Sequence, residues 1–286
     1  MNARERILVM AIIAYVAGIV MTLVVGYDSR RIVAGTPIAI QQATTTQSFA
    51  YMAVILIGII AMATIFTWRR DALKRIFSKV FGLWAAYYVF AGVFIIILYG
   101  GMALRAPVLP IEIGSILGGI LAAVLWFNLK GYHNLFAIII SIGTIAILAT
   151  SFSLLWILAI FEFLSIWDLI AVFKLKFMQE LAGMAINQQG KKPFPLFIYS
   201  GSLSSMEHKL QGKPQKGASV ALLGLGDIII PGAFLGALAL SMPARVPLAI
   251  IAIFVALDAN MWLAKHYKKA IPALPLMFLA ALLMIL

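Results

Sequence analysis

Cysteine is absent from this chain of 286 residues. That excludes disulfides, thiolate nucleophiles and cysteine-based metal sites, and leaves the redox compartment open. Charge is scarce as well. Asp, Glu, Lys and Arg make up 11% of the residues, against about 25% in an ordinary soluble domain. Only 10 residues are acidic. Histidine is limited to His133, His208 and His266, all in loops and none spaced i, i+4 from another, so neither a metal site nor a bound cofactor is expected. What fills the chain is apolar: 64% of it is hydrophobic, with a mean hydropathy of +1.06. This is the composition of a polytopic membrane protein.

A bilayer-spanning helix needs about 20 apolar residues. Nine runs qualify, at 7–25, 49–68, 80–99, 111–127, 134–150, 152–173, 218–240, 244–264 and 271–286. The fold class expected is therefore an all-α polytopic membrane protein with nine transmembrane helices. The first run, Ile7 to Val25, follows Arg4 and Arg6 but is too long for a signal-peptide core and lacks a small-residue cleavage site, so it reads as a retained helix. Net charge is +12. In a soluble chain that would suggest nucleic acid; here topology accounts for it, and no nucleic-acid partner is expected. Threading the nine runs across a bilayer puts 18 Lys and Arg on one side and 4 on the other. The positive-inside rule then places the N-terminus in the cytoplasm and the C-terminus outside, as a multi-pass protein of the cell membrane.

The chain divides into a block of helices 1–6 (1–173), a polar cytoplasmic loop (174–217) and helices 7–9 (218–286). The first half of the loop continues helically on paper, with Leu175, Met178, Leu181, Ala182 and Ala185 on one face through Gln189. The rest carries Gly190, Pro193, Pro195, Gly201, Gly212 and Pro214 and is expected to be irregular.

Against this apolar background two acids are out of place. Asp168 lies in the run Phe152 to Phe173, about five residues or 8 Å from its cytoplasmic end, and Asp227 lies about nine residues or 13 Å inside the run Ala218 to Leu240. Carboxylates in a bilayer core are rare, face an internal polar site and are functional by default. Their similar depths let the side chains meet if the two helices are adjacent, and two carboxylates sharing a proton can activate water. Gly224 and Gly226 flank Leu225 just before Asp227. They permit close backbone approach and weaken the helix, as a site receiving a peptide requires. Gly232 and Gly236 read instead as a packing face, as do Gly114 and Gly118.

Pro272-Ala273-Leu274-Pro275 opens the last run. Two prolines three apart either break the helix beside the acids' cavity, where non-helical backbone is tolerated, or simply start the helix. Asp258 and Glu162 read as structural acids, paired with neighbouring helices. Arg69, Arg70, Lys74 and Arg75 suit anionic headgroups.

Gly-Leu-Gly-Asp at 224–227, an aspartate in the preceding span and Pro-Ala-Leu-Pro at 272–275 together resemble the presenilin and signal peptide peptidase family of intramembrane aspartyl proteases. The likeness extends to the helix plan, while the specific motifs lie in the last spans. Trp167 stands before Asp168 where the family usually has tyrosine. In its compactness the chain is similar to microbial, archaeal-type homologues, and its charge split matches the presenilin orientation. The resemblance implies that Asp168 and Asp227 are the catalytic dyad and that Gly224, Leu225, Gly226, Pro272, Ala273, Leu274 and Pro275 shape the active site. It implies an aspartic endopeptidase of the Gly-x-Gly-Asp type that needs no cofactor or metal. Its partners would be transmembrane-helix proteins in the lipid bilayer, with oligomer formation left open. The alternative from another class is a proton-coupled transporter or ion channel relaying through Asp168, Asp227 and Asp258; an inverted repeat, the usual companion of that function, is not visible.

Overall fold

The structure is a computed structural model that describes residues 3–32, 86–87, 89–101, 104, 107–128, 133–175, 197–200, 221–267 and 271–286, with positions 50, 53 and 57. All but three positions of the expected span at 49–68, the basic cluster at 69–75 and most of the 174–217 loop lie outside the described residues.

Among the described residues the helices are α1 (Ala3–Ile32), α2 (Val89–Gly101), α3 (Val108–Asn128), α4 (His133–Ser151), α5 (Leu154–Ile170), α6 (Gly226–Ser241), α7 (Val246–Tyr267) and α8 (Leu274–Leu283). Four apolar stretches, Arg4–Gly26, Asn134–Ser151, Leu154–Lys174 and Pro243–Tyr267, are long enough to cross a membrane. At 16 residues, α6 measures about 24 Å, and at 10 residues, α8 measures about 15 Å. The outward faces are apolar, as a hydrocarbon solvent allows: Val9, Ile13, Val16, Val20 and Leu23 make one exposed stripe along α1.

The centre of the molecule is α6, which packs against α1, α4, α5, α7 and α8 and is buried on almost every side from Ile228 to Ala239. Its glycines make that possible. A Cβ on Gly232 would sit 2.4 Å from Ile145 Cδ1, and one on Gly236 would sit 2.8 Å from both Ala149 Cβ and Thr22 Oγ1. The backbones of α2 and α4 meet through Gly92 and Gly143, where a Cβ on Gly143 would lie 2.9 Å from Gly92 Cα. The spacing of Gly114 and Gly118 suggests one packing face, but only Gly118 is crowded; Gly114 has nothing within 4 Å. The second crowded position is Gly119, against Phe90.

Two features depart from an all-helical plan. The run expected as one helix over 218–240 is split: Ala221–Gly224 is a strand, β2, and the helix begins at Gly226. Strand β1, Phe197–Ser200, pairs with it antiparallel, Phe197 opposite Gly224 and Ser200 opposite Ala221, where the sequence suggested irregular loop. The pairing supplies hydrogen bonds that an extended segment cannot find in lipid, and Gly224 and Gly226 loosen the junction. Second, α5 runs on into a π-helical turn, Ala171–Leu175, which begins three residues after Asp168.

Polar ties fix the ends of the bundle. The Arg4 guanidinium grips Asp258 with Nε 2.6 Å from Oδ1 and Nη2 on Oδ2, joining α1 to α7 as expected of a structural acid. Arg245 donates from Nη1 to the Met284 and Ile285 carbonyls at 2.9 and 2.7 Å, satisfying carbonyls that a helix end leaves without donors.

Candidate active site

Asp168 sits on the last turn of α5 with only 6% of its surface exposed. Its carboxylate is met by the start of α8. The Leu274 amide donates to Oδ2 at 3.3 Å, and the Ala273 amide also hydrogen-bonds the carboxylate. The two open readings of Pro272-Ala273-Leu274-Pro275 are both partly realised. Pro272 lies outside the helix, Ala273 is its N-cap and Leu274 its first residue. Pro275 is in the first turn, where a missing N–H is harmless. The motif thus ends in a helix N-terminus, whose free amides suit an anion, and it points them at Asp168. Ring contacts hold this arrangement: Phe161 of α5 lies 5.6 Å from Phe278 of α8 and 6.4 Å from Phe234 of α6, centroid to centroid.

Asp227 is the second residue of α6. Its carboxylate accepts a hydrogen bond from the Gly224 backbone and interacts electrostatically with Asp168, from a helix packed directly on α5. The glycines before it have different parts. A Cβ on Gly224 would stand 3.3 Å from Asp227 Oδ2, whereas nothing lies within 4 Å of one on Gly226, which is exposed. Leu225 between them is buried. Gly224 therefore makes room for the carboxylate, and Gly226 leaves open space beside it. The Asp227 backbone carbonyl is held from α1 by the Tyr15 hydroxyl at 3.1 Å, a contact that sequence reading missed. Its only signal is Pro231, which cannot donate to the carbonyl four residues earlier.

The structure does not bring the other acids to this place. Asp258 is engaged with Arg4. Glu162, expected to be paired, is on the exposed face of α5 with Leu155, Ile166 and Leu169. Among the described residues no group of three His, Asp or Glu side chains could hold a metal.

The profile of the family described as signal-peptide peptidase, presenilin aspartyl protease matches residues 10–277. The chain belongs to this family. Two solved structures described as a presenilin family intramembrane aspartate protease, in C222 and P2 crystal forms, have the same fold. Each is 16% identical, with TM-scores of 0.59 and 0.57 over 97% of this chain and 94% and 93% of theirs. Comparison with curated proteins gives no match. Family membership, together with the apolar helices, identifies a membrane protein and an intramembrane aspartyl protease, whose kind of substrate is a transmembrane protein in a lipid bilayer.

Proposed function

We propose that Asp168 and Asp227 are the catalytic dyad of an intramembrane aspartic endopeptidase. The observation that carries this reading is the convergence of two mid-chain carboxylates from adjacent helices, one of them held by the amides of α8. Two neighbouring carboxylates in a poorly solvated site share a proton. The ionised member takes a proton from a water between them as the water oxygen attacks the scissile carbonyl carbon. The protonated member gives its proton to the carbonyl oxygen, forming the tetrahedral diol. Collapse breaks the C–N bond as the newly protonated aspartic acid gives its proton to the departing amine and the other aspartate takes a proton from a diol hydroxyl, so the carboxylic acid and the amine leave and the dyad again holds one proton.

The substrate in this reading is a transmembrane helix. Its carbonyls are tied up in intrahelical bonds, so it must unwind locally. The unwound segment then adds by strand pairing, either to the backbone around Pro272–Pro275 or to the β1–β2 sheet, which ends three residues before Asp227. Gly226 supports this by leaving space at the dyad. The topology that goes with it has nine spans, the N-terminus in the cytoplasm and the C-terminus outside the cell membrane. Helices 1–6 lie within 1–173, the cytoplasmic loop is 174–217, and the block 218–286 holds strand β2 followed by helices 7–9. A transporter or channel is not favoured, because family membership points to proteolysis and Asp258 is committed to Arg4.

The test is incubation of the purified protein with a transmembrane-helix peptide. Asp168→Ala and Asp227→Ala are each expected to abolish cleavage, and an aspartyl transition-state mimic to inhibit it. Cleavage that survives either substitution sinks the dyad.

A further inference from the structure

Helix α6 carries Pro231 within its second turn. Proline has no N–H, so the carbonyl four residues earlier loses its intrahelical donor. That carbonyl belongs to Asp227. Left alone in an apolar interior, it would be a costly unsatisfied acceptor, and the first turn would tilt to relieve it. The structure fills the position from another helix. The Tyr15 hydroxyl, 212 positions away on α1, donates to the Asp227 carbonyl at 3.1 Å. Tyr15 is fully buried, and a buried phenol needs such a partner. Gly232, one residue past the proline, packs beside the ring: a Cβ there would lie at van der Waals distance, 3.4 Å, from Tyr15 Cδ1. A single short segment therefore removes the amide and presents the acceptor that one distant side chain satisfies.

We infer that Tyr15 is a positioning residue for Asp227: its hydroxyl replaces the helix hydrogen bond lost at Pro231 and holds the backbone from which that carboxylate is aimed. The inference rests on the reading of Asp227 as catalytic. Helix α1 thereby acts on the reaction through Asp227. The Ile228 and Ile229 amides, both bonded to the Leu225 carbonyl at 3.0 and 2.8 Å, report on the same turn.

The test compares Tyr15→Phe in two backgrounds of the full-length protein, native and Pro231→Ala. Amide exchange over 225–230 and cleavage of a transmembrane peptide are both followed. Tyr15→Phe keeps the ring and removes only the hydroxyl. In the native background it is expected to lower kcat about tenfold, to leave KM within about twofold and to raise exchange severalfold. With Pro231→Ala, an amide is restored where the helix can use it, and the same substitution is expected to change little. Loss of equal size in both backgrounds overturns the inference, as do unchanged exchange and kcat in the native one. Exchange decides the Tyr15 link by itself. A protein that cleaves nothing overturns the protease reading, whereas an exchange pattern unmoved by Tyr15→Phe overturns the link.

Discussion

The backbone amide of Leu274 donates to the Asp168 carboxylate across 106 positions of sequence. Through that bond the proline-rich start of α8 becomes part of the electrostatic surroundings of α5's acid. A side chain at 274 can be exchanged without touching the bond, but the amide cannot.

The first prediction isolates that amide. Replacing Leu274 by its α-hydroxy acid turns the N–H into an ester oxygen while keeping the isobutyl group buried. A hydrogen bond to a charged group contributes roughly 1.5–3 kcal/mol, so kcat is expected to fall about tenfold or more. Peptide cleavage by the semisynthetic protein measures it; an undiminished kcat would show that the contact is incidental.

Replacing Pro272, Leu274 and Pro275 together with helix formers extends α8 through its present start and withdraws both amides from Asp168. Cleavage is expected to vanish while the protein still folds, as judged by helical circular dichroism. Full activity in this variant would also remove strand pairing at 272–275.

The two glycines before Asp227 are expected to differ. Gly224→Ala brings a methyl to 3.3 Å from Asp227 Oδ2, closer than most Cβ contacts, so the carboxylate must shift and kcat should fall about tenfold or more, since a displacement of about 1 Å can cost a hundredfold. Gly226→Ala meets no atom within 4 Å. It is expected to leave stability unchanged and to act, if substrate lies there, on KM. Steady-state kinetics on the two variants separates them, and equal effects would contradict the assignment.

Packing makes its own prediction. Gly143→Ala drives a methyl to 2.9 Å from the Gly92 Cα, and backbone cannot step aside as a flexible side chain can. Overpacking of this kind costs about 1–3 kcal/mol. Gly114→Ala meets nothing and is expected to be neutral, or stabilising by up to about 1 kcal/mol through helix propensity. Thermal unfolding in one detergent ranks the two.

Asp258 offers a control on the dyad. Its side chain and that of Arg4 are each 34% exposed, so their pairing is worth about 1 kcal/mol or less after solvent screening. Asp258→Asn is expected to lower the unfolding temperature slightly and to leave cleavage intact. Abolished cleavage with an unchanged fold would make Asp258 a third functional acid.

Legibility in the sequence followed chemistry more than geometry. Asp168 and Asp227 stand out because a carboxylate in an apolar run violates a strong rule, and the prolines at 272 and 275 because they interrupt one. Strand β2 did not stand out. Ala221-Leu222-Leu223-Gly224 is as suitable for a helix as for a strand, and its partner, Phe197–Ser200, lies in a polar loop where periodicity is silent. Tyr15 was hidden for a different reason. Within an unbroken apolar helix nothing marks one aromatic ring as the donor for a carbonyl on another element. Glu162 looked like a partner for a neighbouring helix because a mid-span acid ordinarily has one, and its outward direction depends on how α5 is rotated, which the run itself does not encode.

Helix α8 has a fixed length of about 15 Å, with one end on the Asp168 carboxylate and the other under the Arg245 guanidinium. A rod so held transmits vertical displacement. Arg245, exposed at the turn between α6 and α7, is thereby coupled through one short helix to the amides that face Asp168.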